Sequence, residues 1–279
     1  MSAQVVTPLF DISYDVGWIA ALPKVCLHDH LDGALRPQTI VELAAEAGHE
    51  LPATDPAALE RWFVESANSR SLERYLATFE HTVAVLQSAS ALTRVAREYV
   101  LDAAADGIVY GEVRWAPEQH LGDGLDIDSA IAAVARGLAL GEEAAAERGA
   151  TITVRQILCA MRHTDRSLEI AQAAVRNRRR GVVGFDLAGP ELGFPPSKHR
   201  EALEYCAQHF LPVTLHAGEA DGVESIRQAV VEGRALRIGH GVRILEDVVR
   251  RQRDGELADN VSRLPTSHDI SLVPASSLY

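Results

Sequence analysis

Four histidines are the residues of this sequence best suited to chemistry. His28 and His30 stand at the end of the apolar run Lys24-Val-Cys-Leu-His28, separated by one residue. In an extended chain, side chains two apart share a face, so both imidazoles point one way and Asp29 the other. Such a pair can share a metal ion, though the same spacing also occurs among ordinary core or surface histidines. Val213-Thr-Leu-His216-Ala-Gly-Glu219 ends a second extended run on a histidine, with a glutamate three residues on. Ile238-Gly-His240-Gly241 ends a third, and its glycines let the backbone crowd against a ligand. Gly184-Phe-Asp186-Leu-Ala-Gly189-Pro-Glu191 adds a carboxylate, Asp186, that either orients a neighbour or caps a helix. One histidine at a strand end is ordinary; four at the ends of three strands point to one metal-assisted site.

Positioning those residues requires a parallel sheet. Lys24–His28, Ile108–Trp115, Thr151–Leu158, Gly181–Leu187, Leu211–His216 and Leu236–His240 read as strands. Ala-rich helical patterns separate them, among them Ala91–Asp106, Asp128–Arg148 and Lys198–His209. Strands with nearly continuous apolar character that alternate with helices imply a sheet buried on both faces. The fold class is α/β, with a TIM (β/α)8 barrel favoured over a doubly wound open sheet, and residues 1–279 are expected to form a single domain. In a barrel the C-terminal ends of the strands carry the active site, which is where the histidines fall. A seventh strand is expected near Asn260–Pro265, but Asn260-Val-Ser-Arg-Leu is a poor buried strand. Thr266–Tyr279 then leaves no room for a further helix and an eighth strand, so the barrel is expected to lack its eighth strand.

Bulk properties narrow the partners. The net charge is −12, which repels phosphate backbones and anionic membranes but is indifferent to a small neutral substrate. Cys26, Cys159 and Cys206 are odd in number and without a Cys-x-x-Cys pair, as suits buried thiols in a reducing cytoplasm. No stretch approaches the roughly 18 apolar residues of a membrane span. A cytoplasmic protein without nucleic-acid or membrane partners is expected; the oligomeric state is left open.

Ordered along the chain, Pro23-Lys-Val-Cys-Leu-His-Asp-His-Leu-Asp-Gly-Ala34, Glu112-Val-Arg-Trp-Ala-Pro117, Gly184-Phe-Asp-Leu-Ala-Gly189, His216-Ala-Gly-Glu219 and Gly239-His-Gly241 resemble the motif blocks of the adenosine deaminases of the amidohydrolase superfamily. Ser71-Leu-Glu-Arg-Tyr-Leu-Ala-Thr-Phe79 resembles that family's segment over the substrate pocket. The resemblance implies one Zn2+ per chain and hydrolytic deamination of adenosine and 2′-deoxyadenosine to inosine and 2′-deoxyinosine, in purine salvage. It implies His28, His30 and His216 as metal ligands, Glu219 as the acid at purine N1, and His240 as the residue that positions the attacking water. It also implies Asp32, with His30, at the ribose side of the substrate and Gly189 at the purine ring. Related adenine deaminases usually have Glu at the position of Asp32, which favours the nucleoside over the free base. Leu72, Tyr75, Leu76 and Phe79 form one helical stripe, read either as a pocket lid or as a core-facing stripe. The chemistry suits these residue types, since bound Zn2+ lowers the pKa of water to about 7 and a desolvated carboxyl can hold the proton that purine N1 needs.

The resemblance also implies an acidic pair at the end of an eighth strand, whose first Asp would be a further metal ligand. The sequence has no such block, and Asp269 is the nearest acid, in a context that does not match. The expectation is a truncated or frameshifted form of the family, with zinc retention and activity impaired. The alternatives are an inactive fragment, or a related deaminase of adenine or a modified nucleotide.

Overall fold

The computed structural model describes residues 17, 21–68 and 72–246, with the side chains of 72–74 outside that set. Among the described residues six strands follow one another: β1 Lys24–His30, β2 Ile108–Trp115, β3 Thr153–Met161, β4 Val182–Ala188, β5 Thr214–Ala217 and β6 Arg237–His240. They hydrogen-bond in sequence order, β1 to β4 as one parallel ladder and β5 with β6 as another. A single parallel bridge between Phe185 and Val213 joins the two. This is the order of a (β/α)8 barrel, and among the described residues no ladder closes β6 onto β1. The expected seventh strand at Asn260–Pro265, the segment Thr266–Tyr279 and Asp269 lie outside the described residues.

All six expected strands are present, with shifted ends. β1 runs two residues further than expected, so His30 belongs to the strand itself. β5 begins at Thr214 and not at Leu211, because Pro212 has no N–H to give to the ladder. Pro212 still accepts from the Phe185 amide at 3.0 Å, and that bond stitches β4 to β5.

The helices are α1 Pro37–Ala47, α2 Pro56–Ala67, α3 Leu72–Val85, α4 Ala89–Ala105, α5 Ile127–Glu147, α6 Ser167–Arg176, α7 Arg200–Gln208 and α8 Val223–Val231. Their starts follow local chemistry. Ser88 accepts from the Ala91 amide at 3.2 Å ahead of α4, and Asp126 accepts from the Ser129 amide at 2.6 Å ahead of α5. The expected helix Lys198–His209 divides, since Pro195 and Pro196 open a 3-10 turn over Pro196–His199 before α7 begins. Among the described residues no helix is long and apolar enough to cross a membrane.

The core lies between the strands and the helices outside them. Val113, Ile157, Leu158, Phe185 and Leu187 of β2 to β4 are buried, as are Val95 and Val100 of α4 and Ile131 and Val134 of α5. Buried strand faces of this kind hold the strand ends rigidly, and that rigidity fixes the directions of the histidines.

Helices α4 and α5 approach through glycine. A Cβ on Gly137 would sit 2.3 Å from the Thr93 carbonyl oxygen and 2.7 Å from Ala96 Cβ, and one on Gly141 would sit 2.5 Å from Val100 Cβ. Alanine is the better helix former by about 1 kcal/mol, yet here it must force the helices apart. Gly137→Ala is therefore expected to destabilise the chain by about 1–3 kcal/mol in urea unfolding. An unchanged or raised midpoint would contradict this packing.

Candidate metal centre and the residues around it

The C-terminal ends of β1, β5 and β6 bring the four histidines together. His216 Nε2 lies 3.1 Å from His28 Nε2 and 3.0 Å from His30 Nε2. One donor atom from each of the three lies within 4.8 Å of the others, the arrangement of a metal-ligand group. His240 stands beside them, its ring centroid 4.7 Å from that of His28 and 5.3 Å from that of His216.

Electrostatics keep three of these rings, His28, His30 and His240, neutral. Burial, and then the charge of His216, holds His30 and His240 down to about 3. The same two causes push His28 lower still. A neutral imidazole offers a lone pair, which is the form that binds a metal ion. The nitrogens of His28, His30 and His216 face one point, and this donor set fits zinc.

Behind the cluster is a buried charge network that the sequence reading only touched. Asp186, fully buried at the end of β4, has Oδ2 2.9 Å from His216 Nδ1 and Oδ1 3.2 Å from the His216 amide. The Nδ1 contact has ion-pair distance without the direction of a hydrogen bond. Arg114 Nη1 donates to Asp186 Oδ2 at 2.5 Å, and Arg114 Nη2 donates to the Leu27 carbonyl at 2.8 Å. Burial pushes the Asp186 carboxyl up, but His216 and Arg114 outweigh it and hold the group well below the usual carboxylate range. Of the two roles open to Asp186 in the sequence, the geometry is that of orienting a neighbour. Arg162 follows β3 and donates to the carbonyls of His216 and Phe194, the second at 2.9 Å.

Glu219 is in the turn after β5, with Oε2 3.4 Å from His240 Nε2. Burial raises its carboxyl above the ordinary range, with His216 opposing and Glu191 adding to the rise. His240 adopts φ of 68°, a left-handed conformation uncommon for a residue with a side chain. Gly239 before it has no room for a side chain, since a Cβ would lie 2.5 Å from His28 Cε1. The glycines thus admit the His28 ring against the β6 backbone.

Asp32 lies in the 3-10 turn Leu31–Gly33 after β1 and is buried. Its Oδ2 accepts from the Ala116 amide at 3.3 Å and lies 3.6 Å from His120 Nε2, while Oδ1 is buried without a protein partner. His30 Nδ1 is 3.9 Å from that Oδ1. Gly189 follows β4 with φ of 88°, and a Cβ there would meet Met161 Cε at 3.0 Å. On α3, Phe79 packs 3.2 Å from the Cβ position of Gly33 and sets its ring edge-to-face with His30, 6.3 Å between centroids. Tyr75 packs on Phe79 at 5.5 Å, and Leu76 is partly buried on the same helix. The Leu72 side chain lies outside the described residues.

Arg114, Arg162, His120 and Glu191 were quoted or passed over in the sequence without a role. Their signal is a charged or polar residue at or just beyond the end of a buried strand, where a desolvated charge needs a partner.

Parallel strands thus bring three imidazoles of metal-ligand spacing, a carboxyl and a fourth histidine to one rim, the arrangement that metal-assisted hydrolysis uses. A model of the adenosine deaminase family matches residues 23–278. An adenosine deaminase from Mycobacteroides abscessus is 53% identical over 235 residues, 84% of this chain and 65% of that protein. The adenine deaminase of Arthrobacter aurescens superimposes with a TM-score of 0.70 at 29% identity, over 84% of this chain and 69% of that one. An amidohydrolase from Burkholderia ambifaria with bound zinc superimposes with a TM-score of 0.71 at 26% identity, over 86% of this chain and 64% of that one. The chain belongs to the adenosine deaminase family. It spans about two thirds of the length of the curated relatives it matches, 65% and 64% for two of them.

The lowered imidazole values carry a pH dependence. In metal-free protein the unfolded histidines take up protons below about 6.5, whereas folded His30 and His240 do so only near about 3. Between those limits the unfolded state binds more protons, so stability is full above about 6.5 and falls as the pH drops towards 3. Urea midpoints in chelator at about pH 7.5 and about pH 5 should show that loss, and His240→Asn should reduce it. Equal slopes for the two chains would contradict the assignment.

Proposed function

We propose that this chain is a zinc-dependent deaminase of adenosine and 2′-deoxyadenosine, releasing ammonia and the inosine nucleosides. The observation that carries the reading is the convergence of His28, His30 and His216 with Glu219 and His240 alongside. Membership of a family whose relatives are named adenosine deaminase supports the substrate. A cytoplasmic setting and action as a single domain over residues 1–279 belong to the same reading, which the three free cysteines support.

His28, His30 and His216 would hold the metal ion, with Asp186 fixing the ring of His216 from behind. Bound there, the ion supplies Lewis acidity and lowers the pKa of water towards neutrality. His240, kept neutral, accepts a hydrogen bond from the attacking water and aims it at the ring carbon that bears the amine. Glu219, its carboxyl pushed up by burial, is the group placed to give a proton to the neighbouring ring nitrogen, N1. Without that proton, addition would leave negative charge on the ring. Asp32 presents the unpaired Oδ1 to a ribose hydroxyl, and His30 stands next to it. The Gly189 backbone faces the purine, at a position where a side chain would crowd Met161. Phe79 and Tyr75, with Leu76 on the same helix, cover the site on the α3 side.

The structural likeness to an adenine deaminase favours a second reading, deamination of the free base. Turnover of adenosine, adenine and AMP by the zinc-loaded chain separates the two. The account expects preference for adenosine, and a drop of about 10²–10⁴-fold for Glu219→Gln with metal content unchanged. Turnover that survives Glu219→Gln would remove Glu219 from the chemistry. Metal binding without turnover of any of the three would leave the family's site without its reaction.

A further inference from the structure

The turn that carries Glu219 contains four consecutive amides whose acceptors are one carboxylate. Glu191 lies after β4 and is only 4% exposed. Its Oε1 accepts from the Gly218 amide at 2.6 Å and from the Ser225 hydroxyl at 2.5 Å. Its Oε2 accepts from the amides of Glu219 at 3.1 Å, Ala220 at 2.7 Å and Asp221 at 3.0 Å. Five donors on two oxygens is near the capacity of a carboxylate. Successive amides pointing into one concavity form an anion-binding nest, and here the anion is a side chain of the same protein.

The rest of the turn is held from its carbonyl side. Arg243 donates to the Ala220 carbonyl at 2.9 Å through Nη1, and its own amide meets the Gly218 carbonyl at 3.3 Å. Gly218 has φ of 74°, and a Cβ there would lie 2.6 Å from Ile226 Cδ1, so the turn backbone packs closely on α8. Removing Glu191 would strand four amide donors in a partly buried turn, where each must find water or drive the backbone to another shape. The residue that moves with that backbone is Glu219.

We infer that Glu191 is a positioning residue: its carboxylate, bound by the amides of Gly218 to Asp221, sets the aim of the Glu219 carboxyl at the substrate. This rests on the deaminase reading for its catalytic consequence, and on the geometry alone for the anchoring. A residue that only strengthened the fold would change stability without changing the rate per folded molecule. A residue that aims an acid changes kcat more than KM, since the proton is needed as the reaction proceeds and misplacement by about 1 Å can cost about 10²-fold.

The test uses the full 279-residue chain loaded with zinc, as Glu191, Glu191→Gln and Glu191→Ala. Gln keeps the shape but replaces one acceptor oxygen by a donor that faces amides. Expected for Glu191→Gln is a fall in kcat on adenosine of about 10- to 100-fold, with KM changed by less than about threefold and metal content retained. Formate at millimolar concentration should partly restore kcat in Glu191→Ala, by entering the vacated nest, and leave the parent chain unaffected. Amide hydrogen exchange at Gly218 to Asp221 is measured in parallel, and is expected to rise at those four positions in Glu191→Gln. Unchanged kcat per folded, metal-loaded molecule overturns the proposal, even where the melting temperature falls. If the parent chain does not turn over adenosine, the deaminase reading fails separately. Exchange then decides the anchoring: unchanged protection at the four amides overturns it, and local loss upholds it.

Discussion

A single fully buried carboxylate, Asp186, organises the rim of this barrel. It faces Arg114 from β2, the imidazole and amide of His216 from β5, and the thiol of Cys159 from β3 at 3.8 Å. A buried charge without partners is costly, and breaking such a pair by removing one member costs about 3–5 kcal/mol. Four successive strands, β2 to β5, therefore meet at the need to satisfy one charge. The ring of His216 is the outcome that matters for chemistry, because Asp186 lies behind Nδ1 and leaves Nε2 to face His28 and His30.

Around that centre the protein uses backbone constraint where side chains would be too loose. Gly239 brings the β6 backbone against the His28 ring, and the left-handed backbone of His240 presents its imidazole to the same space. Arg162 ties the carbonyl of His216 to the loop after β4 through Phe194. Glu191 gathers the turn after β5 by its amides. Each contact joins elements far apart in sequence, so the site is only as ordered as the barrel that supports it. The same buried setting keeps His30 and His240 unprotonated, which couples metal readiness to folding.

Much of this was legible in the sequence, and the limits have physical causes. The six strands were readable as apolar runs, those of β3 to β5 largely buried, and the histidines were conspicuous at the ends of three. The alternation of side chains along β1 placed His28 and His30 together, as the structure has them, despite an irregular register between Cys26 and Asp29. Strand ends were less legible, since the start of β5 depends on which Pro212 groups can hydrogen-bond, and α7 on how two prolines open a 3-10 turn. The roles of Arg114, Arg162 and Glu191 were not legible at all. Their partners are 25 to 87 residues away, as in the Arg162–Leu187 and Arg114–Leu27 contacts. No local pattern reveals which buried charge meets which. The site roles of Asp32 and Gly189 came from family resemblance; the structure adds an unpaired Asp32 oxygen and a left-handed Gly189 backbone.

The central claim is that three imidazoles from β1 and β5 form one metal site. Titrating metal-free protein with Zn2+ by calorimetry, for the parent chain and for His216→Ala, tests it most directly. The account predicts one ion bound per parent chain, and loss of that binding in His216→Ala. Zinc binding of equal stoichiometry and affinity in both chains, or none in the parent, would contradict it.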